Sequence, residues 1–151
     1  MMPSNLYEIG KVFLDSAPII YKVEKHEKYY SVVNPLFSRI DNKESRAVIS
    51  PITISECLVI PLRTRNETLI NTFTKLFRQN KAFEFHTFDQ QTAIFASNLR
   101  AQHNILLLDA YQLAIAIQSQ CDAFLTNDKK LKRVQEINVL LVDDLLEDWN
   151  T

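Results

Sequence analysis

Three apolar runs in this chain stop on an acid. "VFLD" closes on Asp15, "ILLLD" on Asp109 and "FLTND" on Asp128. An apolar run predicts burial, and a carboxylate at its end has to sit where the chain leaves the interior. The runs at 12–14 and 123–126 have the length and composition of strands, as do 47–49, 83–86 and 139–142. Between them lie segments with helical spacing. Ile19, Ile20 and Val23 begin one; Tyr30, Val33, Leu36, Phe37 and Ile40 follow at three- and four-residue steps. Leu69, Phe73, Leu76 and Phe77 mark another, and 92–99 and 109–120 form a helical pair broken at "QHN" (102–104). Strands that alternate with helices predict βαβ units and a mainly parallel sheet covered on both faces, an α/β/α sandwich. A chain of 151 residues without internal repeat or linker is expected to form one domain over 1–151. The segment 41–46, "DNKESR", reads as an exposed loop.

Open parallel sheets build their sites beyond the carboxyl ends of the strands. Asp15 and Asp128 take that position on two different strands. Glu56 is expected on the first turn of the helix after the second strand, at the same rim. Asp109 opens the last long helix, which returns along the sheet. The four acids are therefore expected to share a site. Each also has a structural explanation: Asp109 and Asp128 can cap helices, and Asp15 can start the turn into "SAP". "TISE" (53–56) reads as a capping box, with Thr53 as the cap and Glu56 reaching back to it. Asp122 begins a strand and so belongs to the opposite end of the sheet. Asp143 and Asp144 read as a solvated turn after an edge strand.

Carboxylates grouped in a partly buried place repel one another unless some protonate or a cation joins them. An all-oxygen donor set suits Mg²⁺ or Mn²⁺, and those ions most often work on phosphates, so phosphodiester hydrolysis is the expected chemistry. Composition removes the main competitors. Gly10 is the only glycine, which excludes a dinucleotide fingerprint, a P-loop or a nucleophile elbow. His26, His86 and His103 lack zinc-ligand spacing, and Cys57 and Cys121 read as buried thiols, not a disulfide. The net charge of −1 gives no global attraction for nucleic acid. A nucleic-acid partner would need local cations, and Lys129, Lys130, Lys132 and Arg133 directly follow Asp128, with Arg63 and Arg65 downstream of Glu56. No apolar run approaches the ~18–20 residues of a membrane span. Residues 1–11 are polar, without signal-peptide features, so a cytoplasmic protein is expected.

The acidic blocks resemble those of the PIN-domain family of metal-dependent ribonucleases, particularly the toxin subunits of VapBC-type toxin–antitoxin pairs. "VFLDSAPIIYKVE" is similar to the family's first strand and acid, at Asp15. "ISPITISECL" is similar to the second block, with its acid at Glu56. "LLLDAYQLAIAIQSQCDAFLTND" resembles the most specific block, with Asp109 and Asp128 as third and fourth acids. The resemblance implies about five parallel strands between helices and an acidic pocket for Mg²⁺ or Mn²⁺. It also implies an RNA substrate, a homodimer and a small antitoxin partner. In this reading Asp15 and Asp109 are the principal ligands, with Glu56 and Asp128 as further ligands, direct or through water. Ser16, Thr126 and Asn127 orient water or phosphate, and Lys129, Lys130 and Arg133 contact RNA. The chain departs from the family pattern at Ala17, where a polar residue is usual, and at Gln120–Cys121, where a glycine commonly precedes the fourth strand. Two rivals are a phosphatase with an aspartyl nucleophile and a non-catalytic PIN-like interaction domain. The first typically needs an acid where Ala17 stands; the second usually loses acids, and here all four are present.

Overall fold

The computed structural model describes residues 8–150. Most of the polar stretch at 1–11 lies outside that range. Five strands, β1 (Lys11–Leu14), β2 (Arg46–Ile49), β3 (Phe83–Phe85), β4 (Ala123–Thr126) and β5 (Asn138–Leu141), form one sheet in the order β3-β2-β1-β4-β5. Every pairing is parallel. Among the described residues there are seven α-helices: α1 (Ser16–Val23), α2 (Tyr30–Asp41), α3 (Pro51–Arg63), α4 (Glu67–Gln79), α5 (Gln90–His103), α6 (Leu107–Gln118) and α7 (Val142–Asn150). A 3₁₀ turn (Lys129–Arg133) links β4 towards β5.

Alternation along the strands sorts the core into two layers. Val12, Leu14, Ala47, Ile49, Ala123, Leu125 and Leu140 face α1 to α4 and α7. Phe13, Val48, Phe124 and Val139 face α5, α6 and the 3₁₀ segment. Phe13 and Phe124 stack across β1 and β4 with ring centroids 5.1 Å apart. The expected three-layer sandwich with a parallel sheet is thus observed. Because all five strands run the same way, all their carboxyl ends lie on one rim.

Several local expectations need correction. Strand β3 stops at Phe85, and Val142 starts α7, so Asp143 and Asp144 lie in a helix's first turn, not in a solvated turn. The "TISE" box does not form. Helix α3 begins three residues earlier, with Ser50 as cap, Pro51 at the first helical position and Thr53 completing the box. Proline's missing N–H and fixed φ suit that first position. In segment 41–46, Ser45 is buried, its hydroxyl donating to the Ile9 carbonyl at 2.8 Å. At the opposite end of the sheet, Asp122 accepts from the backbone N–H groups of Gly10 (3.1 Å) and Lys11 (2.9 Å), as its strand position implied. A Cβ at Gly10 would stand 3.2 Å from that carboxylate, so the lone glycine marks a close approach. Cys57 is buried, Cys121 half-buried, and both are free thiols. Among the described residues no helix is long and apolar enough to cross a membrane.

Candidate active site

The central strand β1 and its neighbour β4 end side by side and set the middle of the site. The Asp15 N–H donates to the Leu125 carbonyl (3.0 Å), continuing the ladder one residue past β1. Its carboxylate is buried. Oδ2 accepts from the Thr126 hydroxyl at 2.7 Å, and Oδ1 accepts from the Ser16 N–H at 2.8 Å. Burial pushes the Asp15 carboxyl above its ordinary range; those two bonds pull it down, and the Asp128 charge raises it further. Thr126 Oγ1 also accepts from the Asp128 N–H at 3.1 Å, so one buried hydroxyl links two of the acids.

Helix α3 brings Glu56, in its second turn and half-buried. Burial, and then the charges of Asp15 and Asp109, push its carboxyl up to about 7, against a hydrogen bond from the Ser16 side chain. Helix α6 brings Asp109 in its first turn, where the N-terminal dipole favours a carboxylate. Burial, followed by Asp15 and Asp128, still raises it to about 6, while the Lys130 ammonium works in the opposite direction. Asp128 caps the 3₁₀ turn, its Oδ1 accepting from the Lys130 N–H at 3.0 Å. Glu56 makes no bond back to Thr53; it faces the other acids.

The supporting polar groups divide. Ser16 serves Asp15 through its backbone and Glu56 through its side chain. Asn127 is engaged at both ends of its amide. Nδ2 donates to the Tyr21 hydroxyl (3.1 Å), and Oδ1 accepts from the Asp143 N–H (2.9 Å), capping α7. Lys129 and Lys130 are exposed beside Asp128. Arg133 is turned to α5, its Nη1 donating to the carbonyls of His103 (3.2 Å) and Asn104 (3.5 Å).

Sequence reasoning passed over Gln112. It is buried, three residues after Asp109 and hence on the same face of α6. Its Oε1 accepts from the Ser50 hydroxyl, its Nε2 donates to Thr53 Oγ1 at 3.1 Å, and its side chain is a further hydrogen-bonding neighbour of the Asp15 carboxylate. The available signal was an amide within the otherwise apolar "DAYQLAIAI".

The donor set is entirely oxygen, and it carries negative charge that the chain's own cations leave largely unbalanced. That chemistry fits a hard divalent cation. Among the described residues no three His, Cys, Asp or Glu side chains form a group that could hold a metal ion.

Comparison with known proteins bears on the fold and the family. No curated protein matches the chain significantly. Among solved structures, the fold is similar to VapBC2 from Rickettsia felis bound to a DNA fragment from their promoter. The TM-score is 0.67, with 19% identity, over 87% of this chain and 98% of that one. It is similar to DNA-bound VapBC from Salmonella typhimurium, with a TM-score of 0.64 and 20% identity, over 88% of this chain and 98% of that one. It is also similar to the sarcin–ricin-loop-cleaving toxin VapC20 from Mycobacterium tuberculosis, with a TM-score of 0.63 and 11% identity, over 75% of this chain and 86% of that one. At these identities the likeness is one of fold. The PIN domain family model matches residues 12–137, most of the chain, and so this protein belongs to the PIN domain family.

Proposed function

We propose that this protein is a divalent-metal-dependent endoribonuclease, the toxin of a toxin–antitoxin pair. The observation that carries the proposal is the presence of buried and half-buried carboxylates from separate segments in one another's neighbourhood at the sheet rim. Asp15, Glu56 and Asp109, from three separate segments, each hold their protons more tightly because of burial and the neighbouring acids. Carboxylates grouped in this way repel one another, and a ligand of opposite charge relieves that repulsion. A bound Mg²⁺ or Mn²⁺ would neutralise phosphate charge and acidify a water. Asp15 and Asp109 would hold it directly, with Glu56 and Asp128 acting through water. In the reaction water adds to phosphorus as its proton passes to one of these carboxylates or to solvent, the P–O3′ bond breaks, and the 3′-oxygen leaves and is protonated to a hydroxyl, so that cleavage leaves a 5′-phosphate. Thr126 and Ser16 keep Asp15 oriented, Asn127 fixes the loop between Thr126 and Asp128, and Lys129 and Lys130 meet the RNA backbone. Arg133 joins them through whatever donors α5 leaves it.

Two further parts of the reading concern partners. Val59, Ile60 and Leu62 on α3 and Leu106, Leu107 and Leu108 at the head of α6 are exposed, although large and apolar. They flank Glu56 and Asp109, which supports a homodimer with its acid sites near the interface. Relatives solved as toxin–antitoxin complexes support a small antitoxin partner.

The test is cleavage of RNA by the purified protein with Mg²⁺ or Mn²⁺, with EDTA, and after Asp109→Asn. Cleavage that needs the ion and the carboxylate is expected. Full activity after chelation and desalting would remove the metal from the proposal; absence of any RNA cleavage would remove the nuclease.

A further inference from the structure

Gln112 lies where three separately coded parts of the site meet. Its amide oxygen accepts from Ser50, the cap of α3. Its amide nitrogen donates to Thr53, whose hydroxyl is 3.4 Å from the carbonyl of Leu14, the residue before Asp15. Thr53 Oγ1 also accepts from the Ser50 N–H at 3.3 Å. The second amide N–H is left for Asp15 itself, beside which the side chain lies. Ser50, Thr53 and Gln112 are all buried, between 0% and 1% exposed. A buried polar network of this kind has one low-energy arrangement, because each unmade bond is costly.

We infer that Gln112 is a positioning residue that fixes the separation of Asp15 and Asp109. The physical reason is leverage. Asp109 and Gln112 share a face of α6, so anchoring the Gln112 amide to the ends of β1 and β2 sets how far Asp109 stands from Asp15. The pair's spacing is thereby decided by an uncharged group that touches neither water nor RNA. This inference rests on the nuclease reading for its functional meaning, though its geometric content stands alone.

The test compares the wild type with Gln112→Met, which keeps the volume and deletes both ends of the amide, and Gln112→Asn, which keeps the amide but is one methylene shorter. Mn²⁺ affinity is read by electron paramagnetic resonance, RNA cleavage is resolved into kcat and KM, and metal-free crystal structures give the Asp15–Asp109 separation. Gln112→Met is expected to weaken Mn²⁺ binding about tenfold or more and to lower kcat alongside it. KM for RNA should hold, and the carboxylate separation should change. Gln112→Asn should move in the same direction, and it preserves the test should the methionine variant not fold. Wild-type Mn²⁺ affinity and unchanged acid spacing in a folded variant overturn the inference. If the wild type neither binds Mn²⁺ nor cuts RNA, the nuclease reading fails, while the spacing in the metal-free variants still decides the role of Gln112.

Discussion

The Thr126 hydroxyl donates to the Asp15 carboxylate across neighbouring strands at 2.7 Å, and the same oxygen receives the Asp128 N–H at 3.1 Å. Thr126→Val keeps the shape and leaves two buried polar groups short of a partner. It should cost about 1–3 kcal/mol at neutral pH. RNA cleavage should drop with it, whereas Thr126→Ser should retain most of both. Urea unfolding and cleavage assays on the pair of variants check this. A stable, active Thr126→Val would mean that the hydroxyl merely fills space.

Asp109→Asn preserves size and can still sit at a helix N-terminus, but it removes one of the repelling charges. Without metal its melting temperature should equal or exceed that of the wild type. Cleavage should fall by orders of magnitude as the cation's site is lost. A variant cutting RNA at the wild-type rate would place the chemistry elsewhere.

Glu56 has its carboxyl raised to about 7 from an ordinary 4.5, and Asp109 to about 6 from 3.8. A group that binds its proton more tightly when folded favours the folded state at low pH. That contribution is complete below the unfolded pKa and is lost as pH rises through the folded one. The metal-free protein should therefore lose stability between roughly pH 4 and pH 7 and then level off. Glu56→Gln should flatten the upper part of this slope. Urea midpoints measured across the range decide the matter, and a stability that climbs from pH 5 to pH 8 would contradict it.

Lys129, Lys130 and Arg133 do not behave alike in the structure, and their substitutions should separate. Lys129→Ala and Lys130→Ala should each reduce the salt dependence of RNA binding by up to ~0.7 in the log–log slope. Lys130→Ala should also raise the Asp109 pKa, since the ammonium now lowers it. Arg133→Ala should mainly loosen the end of α5, at a cost of about 1 kcal/mol or less. Equal effects of all three on the salt slope would show Arg133 contacting RNA as fully as the two lysines.

Gln120 occupies the left-handed region, with φ 61°, just where a glycine is common in the family. Side chains pay about 1 kcal/mol or more there. Gln120→Gly should stabilise the protein by roughly that amount, less the entropy a glycine adds to the unfolded chain. Thermal melting reads the sign.

What could be read from the sequence was what depends on short windows. The strands showed because each is a brief apolar run between polar breaks, and the acids at their ends followed from a parallel sheet. The start of α3 was misplaced because "SPIT" and "TISE" both fit a cap pattern. Pro51, which suits only the beginning of a helix, decides for the first. Helix α7 was missed because the group that caps it, the Asn127 Oδ1 accepting from the Asp143 N–H, lies 16 positions earlier. Gln112 was missed for the same reason on a longer scale: its partners Ser50 and Thr53 lie 62 and 59 positions away. Asn127 and Arg133, read as groups for substrate, also hold parts of the fold together, and nothing local signals that second use.

The sheet order places β4 directly against β1, so Asp15 waits for a hydroxyl encoded 111 residues later. During synthesis the amino-terminal strands and helices emerge first. Asp15, Glu56 and Asp109 are all present in a chain that still lacks Thr126 and Asp128, and the flank of β1 that β4 will occupy is then open. The acidic rim closes only when the last strands insert. In the nuclease proposed here, the cutting site thus comes into being only after most of the polypeptide has been made.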